Sequence, residues 1–153
     1  TYKLPYIIVR PMNNYGTHQH AEKLLPKTCK YLQLGKKIPL HNKGTPKRMW
    51  LHAKDTAKAV VKIIESGITN EIFNISGNYE AQNIEVVQKI ARLHFGKDVD
   101  PEEYCDFSCV REGQDVRYAV DDSKLRALGW KNECIFDNEL PNIMEYYKNN
   151  FVW

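Results

Sequence analysis

A chain of 153 residues that is 42% hydrophobic and 27% charged is long enough to bury a core and has the composition of a globular domain. That excludes a disordered tail, a collagen, a coiled coil and a disulfide-dense scaffold. A net charge of +3, from 22 basic and 19 acidic residues, is too small for general nucleic-acid binding, and no apolar run approaches the ~20 residues that cross a bilayer.

Tyr6 to Arg10 is a β-branched run closed by Pro11, the pattern of a fully buried strand in a parallel sheet. From Glu22 the positions Leu24, Leu25, Thr28, Cys29 and Leu32 recur at helical spacing, with Pro26 in the first turns and Gly35 placed to end the helix. Lys36 to His41 is a short extended piece, Asn42 to Lys47 a basic turn, and Met49 to His52 a second short strand. Asp55 is placed to cap a helix carrying the stripe Ala57, Val60, Val61 and Ile64, which Gly67 stops. Glu71 to Ser76 alternates as a strand. Asn83 precedes a helix with Ile84, Val87, Ile90 and Ala91 on one face, ended by Gly96. Tyr104 to Val110 and Val116 to Val120 read as extended. Asp122 then caps a short helix with Leu125 and Leu128, and Asp137 caps a last one with Leu140, Ile143, Met144 and Tyr147. Interleaved strands and helices predict an α/β fold. No repeat or linker interrupts the chain, so one compact unit is expected over residues 1–153.

Several chemistries have no residues to run on. The eight glycines stand at least nine positions apart, so neither a Gly-x-Gly-x-x-Gly turn nor a Walker loop can be built to cradle phosphates. No Tyr-x-x-x-Lys pair, Gly-x-Ser-x-Gly or His-Glu-x-x-His occurs. Cys29, Cys105, Cys109 and Cys134 contain no Cys-x-x-Cys pair and read as free thiols of a reducing cytoplasm. His18 and His20 could bracket a metal but have no carboxylate or Cys at suitable spacing; a surface loop is the simpler reading. The positive signal is a strand leading into Arg10-Pro11-Met12-Asn13-Asn14-Tyr15-Gly16, since ligands of open α/β sheets bind at the carboxyl ends of strands.

Here the sequence resembles the nucleoside-diphosphate-glucose 4,6-dehydratases of the extended short-chain dehydrogenase/reductase superfamily. The resemblance runs through Asn13-Asn14-Tyr15-Gly16, Glu22-Lys23-Leu24-Leu25-Pro26, Ile38-Pro39-Leu40 and Lys43-Gly44. It continues in Arg48-Met49-Trp50-Leu51 with Asp55, Glu71 to Gly77, Asn83 to Val87, Arg111 to Tyr118, Leu128-Gly129-Trp130 and Glu145-Tyr146-Tyr147, almost from end to end. It implies the C-terminal part of such an enzyme: the last sheet strands of a Rossmann-like fold plus a small mixed α/β substrate lobe. The family's NAD turn, acid/base pair and catalytic Tyr and Lys would precede Thr1, leaving no catalytic residue here. Carried over by position, Asn13 resembles a substrate contact and Asn14 an NAD contact. Lys23 and Leu24 resemble a nucleotide-contacting pair. Pro39, Leu40 and His41 match the strand beside the base, where the family usually has Tyr in place of His41. Arg48 and Arg111 match the guanidinium groups on the diphosphate, and Asn83 another substrate contact. The family's usual Asp-Arg-Pro-Gly-His reads Val110-Arg111-Glu112-Gly113-Gln114 here, which puts Gln114 in the substrate set and Glu112 beside the diphosphate.

The partners so implied are a nucleoside-diphosphate hexose, the N-terminal NAD-binding half of the same protein and, at full length, a second copy, with neither nucleic acid nor membrane. A stand-alone nucleotide-sugar binding module and another extended short-chain dehydrogenase, such as an epimerase, stay open. A chain that begins at Thr1 and enters a strand almost at once reads as a piece of something longer, with an open apolar edge and face around Tyr6 to Val9.

Overall fold

The computed structural model describes residues 1–150. Strand β1 (Ile7–Pro11) continues through Met12 into β2 (Asn13–Tyr15), and helix α1 (Leu24–Gln33) follows. After β3 (Ile38–Pro39) and a 3-10 turn at His41–Gly44 comes β4 (Lys47–His52), leading directly into α2 (Ala53–Glu65). Strands β5 (Glu71–Ile75) and β6 (Tyr79–Gln82) precede α3 (Asn83–Phe95). The chain then forms α4 (Pro101–Tyr104), β7 (Cys105–Asp106), β8 (Arg117–Tyr118), α5 (Ser123–Arg126) and α6 (Phe136–Asn149).

Among the described residues three small sheets result. β1 pairs in parallel with β5, Ile7 opposite Glu71 and Pro11 opposite Ile75. β4 is the centre of the second sheet: β6 lies antiparallel on it, while β2 and β8 run parallel to its C-terminal and N-terminal halves. β3 pairs in parallel with β7. Two apolar cores hold these sheets. The first packs α1, α3 and α6 around Tyr15, Ile38, Leu40, Trp50 and Phe136. The second gathers Met12, Leu51, Ile63, Phe73 and Leu125 between the β1/β5 ribbon, α2 and α5. Gly77 lets the sheets approach: a Cβ there would collide with the Trp50 carbonyl.

Most elements fall where periodicity places them, and the departures have physical reasons. β1 is not buried: Ile8 and Val9 are 44% and 36% exposed, because among the described residues only β5 flanks the strand. The buried face of α2 is Asp55, Ala59 and Ile63; of the stripe Ala57, Val60, Val61 and Ile64 only Val60 packs, half-buried, on the second core, and the rest faces solvent. That helix has apolar residues on two sides, and the β4 junction selects the smaller set. Asp55 is not its cap. His52 is, its ring nitrogen accepting the Lys54 amide at 3.1 Å, while Asp55 reaches across to the backbone N–H of Glu133 and Cys134 at 3.2 and 3.1 Å.

The other shifts are by a few residues. Gln82 caps α3 in a reciprocal box with Glu85, so Asn83 is the first helical residue. Ile135 rather than Asp137 precedes α6. Asp122 precedes α5 but turns its carboxylate to Ser76 N and Arg126, leaving Asp121 to accept the Ser123 amide. Tyr104 closes a helical turn opened by Asp100, whose side chain accepts the Glu102 amide.

Candidate functional site

Two clusters of polar residues rim the first core. One surrounds the end of β2, where a cavity of about 600 Å³ is lined by Asn13, Gly16, His18, Lys23, Leu24 and Trp50 among others. That volume lies in the range of small-ligand sites. Lys23 stands at the N-terminus of α1, a helix start with no side-chain cap and no acidic residue in its first turn. Its unpaired amides and the ammonium therefore favour an anion.

The loop that closes this cavity is held from α6. Gln19 donates its backbone N–H to the Tyr147 phenol at 2.8 Å, and the phenol donates to the Gly16 carbonyl at 3.0 Å. Burial raises the pKa of that phenol, so it stays a neutral donor. The Asn14 side chain is engaged inward: Nδ2 donates to the Met12 carbonyl at 3.1 Å, and Oδ1 accepts the Thr56 hydroxyl. Beneath lies His52, 5% exposed, edge-on to Tyr15 with ring centroids 4.9 Å apart and Nε2 3.8 Å from Glu139. Burial lowers the His52 pKa more than Glu139 raises it, which keeps the ring neutral.

The second cluster forms around the turn after β3. Asn42, in the left-handed region at φ 50, receives the Arg111 amide on Oδ1 at 3.1 Å. Its Nδ2 donates to the Arg111 carbonyl and to Gln114 Oε1, both at 2.9 Å. Arg48 closes the same loop from β4, Nη1 donating to the Lys47 and Asp115 carbonyls at 2.7 and 2.9 Å. Asn83 joins through its amide, 3.1 Å from the Pro46 carbonyl. Gly44, at φ 71, packs so tightly on Leu40 and Ile84 that any side chain would clash.

The expected residues thus fall into two sets. Asn13, Lys23 and Leu24 share the cavity, with Asn14 alongside. Arg111 and Gln114 bond Asn42 in the turn that His41 opens, while Arg48 reaches the Asp115 carbonyl of the same loop and the Asn83 backbone N–H bonds Pro46. Pro39 pairs with Asp106. Leu40 is buried in the first core and donates its amide to the Asp106 carbonyl at 2.9 Å, so its side chain serves packing. Asn42, Gln19, Tyr146 and Tyr147 were missed as site residues. Only Asn42 carried a local signal, being a residue tolerant of the left-handed region, two positions before Gly44. No group of three or more His, Cys, Asp or Glu side chains among the described residues is placed to hold a metal, and no described helix is long and apolar enough to cross a membrane.

Comparison with known proteins gives these clusters a context. Residues 1–76 match the NAD dependent epimerase/dehydratase family. dTDP-glucose 4,6-dehydratase 1 of Escherichia coli is 36% identical over the whole chain, which covers 44% of that enzyme. Among solved structures, dTDP-glucose 4,6-dehydratase of Bacillus anthracis in complex with NAD superposes with TM-score 0.86 at 35% identity, over 97% of this chain and 46% of that one. The dTDP-glucose 4,6-dehydratase DesIV of Streptomyces venezuelae, with NAD and TYD bound, gives 0.88 at 32% identity, over 98% and 46%. The chain spans about half the length of the relatives it matches. It is similar to the dTDP-glucose 4,6-dehydratases over about half of their length, and its mixed α/β fold is that of a part of an extended short-chain dehydrogenase/reductase.

Proposed function

We propose that this chain is the substrate-binding C-terminal portion of an NAD-dependent nucleoside-diphosphate-glucose 4,6-dehydratase, which removes water from dTDP- or UDP-glucose to leave a 4-keto-6-deoxy sugar. The observation that carries the reading is a cavity at the carboxyl end of β2, beside the uncapped start of α1, together with a loop that Asn42 bonds at Arg111 and that Arg48 of β4 bonds at Asp115. A nucleotide sugar offers a diphosphate to such donors and a polar hexose to Asn13. Lys23 and Leu24, Pro39, Leu40 through its backbone alone, His41, Asn83 and Gln114 complete the substrate set.

Bound NAD would supply the hydride chemistry of this reaction. Of the residues present, Asn14 fits a contact to it, since one amide hydrogen remains beyond the bond to Met12. The glycine-rich turn that would cradle its phosphates is absent from these 153 residues. This portion's own residues bind and orient the sugar nucleotide, while proton and hydride transfer fall to the NAD-binding half, so the portion is inactive alone. The working enzyme is a cytoplasmic homodimer in this reading.

Calorimetric titration of the natural polypeptide with thymidine diphosphate and uridine diphosphate tests the reading. One of the two binds, in a salt-sensitive way, and Arg111→Ala abolishes the heat. Full-strength binding in that variant, or no turnover of either sugar nucleotide by the natural polypeptide supplied with NAD, overturns it.

A further inference from the structure

His18 sits at φ 60, a left-handed backbone that limits most side chains but that His adopts more readily than most. The ring is constrained: Nδ1 lies 2.8 Å from the Tyr146 phenol oxygen, and the two rings stand 4.8 Å apart, tilted by 53°. On either side of it, Gly16 and Gln19 are tied to Tyr147. The imidazole held this way lines the cavity together with Asn13 and Lys23, and no carboxylate is among the described lining residues. The lining is rich in donors, which suits an oxygen-rich ligand rather than a cation.

The geometry points to His18 as a ligand-binding residue of this cavity, reading a phosphoryl or hydroxyl oxygen of the bound nucleotide sugar. With the phenol donating to Nδ1, Nε2 carries the ring proton and donates it to that oxygen. Tyr146 is then a positioning residue that acts on the ligand through the imidazole. The inference rests on the nucleotide-sugar reading and adds to it a contact made by a loop histidine that the resemblance leaves without a role.

The test titrates the natural polypeptide with thymidine diphosphate and, after NAD has been stripped, with dTDP-glucose. His18→Gly removes the imidazole and relaxes the backbone, so it folds at least as well and binds one or both ligands about tenfold more weakly, the effect of one lost hydrogen bond to a charged or hydroxyl oxygen. Tyr146→Phe keeps the imidazole, gives a smaller loss and shifts the His18 ring-nitrogen resonances as the tautomer is released. His18→Asn, which tolerates the backbone and restores a donor, recovers part of the affinity. Unchanged affinity of His18→Gly for both ligands overturns the role of His18, while Arg111→Ala still losing binding leaves the nucleotide-sugar reading standing. A wild-type protein that binds neither ligand overturns both.

Discussion

Around the first core, α1, α3 and α6 enclose Tyr15, Trp50 and Phe136, and the cavity beside β2 is lined by Tyr15, Leu24 and Trp50 of that core. Around the second, the β1/β5 ribbon and α2 bury Phe73, Ile63 and Leu125 on one side and leave Ile8, Val9, Ile72, Val61 and Ile64 in solvent on the other. The contrast separates two uses of apolar surface. In the first region it is spent on fixing the loops that meet a ligand, which must be held to within a fraction of an ångström to be selective. In the second it stays available as a face for further protein.

Asp55 tests whether the two regions act as one body. It belongs to α2, beside the second core, but its carboxylate takes the N–H groups of Glu133 and Cys134, just before Phe136 enters the first core. Asp55→Ala strands two partly buried amide donors, which costs about 2–6 kcal/mol at about 1–3 kcal/mol for each unsatisfied group. Urea unfolding should show that loss in a single transition. A loss below about 0.5 kcal/mol, within the range of ordinary surface substitutions, means that the two cores are independent at this junction.

How much of this was legible in the sequence follows the same division. The helices of the first core carry one apolar face each, so Leu25, Val87 and Ile143 were readable as buried from spacing alone. α2 carries two apolar faces, and spacing cannot choose between them; the choice is made by β4 and by Asp55. In the candidate site, Asn13 lies on the strand end that the pattern singles out, whereas Lys23, Arg48 and Arg111 are named only through resemblance, because spacing gives a cation no address. The props were not reachable at all: Tyr146 meets His18 across 128 positions, and a contact of that sequence separation leaves no local period.

His52 offers a smaller effect that sharpens the contrast, since it lies between the regions with its ring against Tyr15. Its pKa in the folded protein is lowered, chiefly by burial and against the pull of Glu139. The unfolded chain therefore binds the proton more readily than the folded one, so stability is fully present above the unfolded imidazole value, about 6.5, and is lost as pH falls below it. Wild-type protein should lose stability between pH 7 and pH 5 more steeply than His52→Gln, compared by thermal melts at matched ionic strength. Parallel slopes mean that the folded state holds the proton as readily as the unfolded one.

The smallest effect is expected at the bare face of α2. Val61 and Ile64 are 53% and 64% exposed, so replacing both with Lys removes little buried area and should change stability by no more than about 0.5 kcal/mol, the usual range for surface positions. The charge should nevertheless reduce self-association of this chain in analytical ultracentrifugation, because two ammonium groups oppose apolar contact between copies. The same substitution in the natural polypeptide discriminates further. A loss of more than about 1 kcal/mol there means that the face is covered by packed side chains, since charge is costly only where water is excluded. A loss as small as in this chain means that α2 faces solvent in both, and that the second core is as incompletely enclosed as Ile8 and Ile72 make it look.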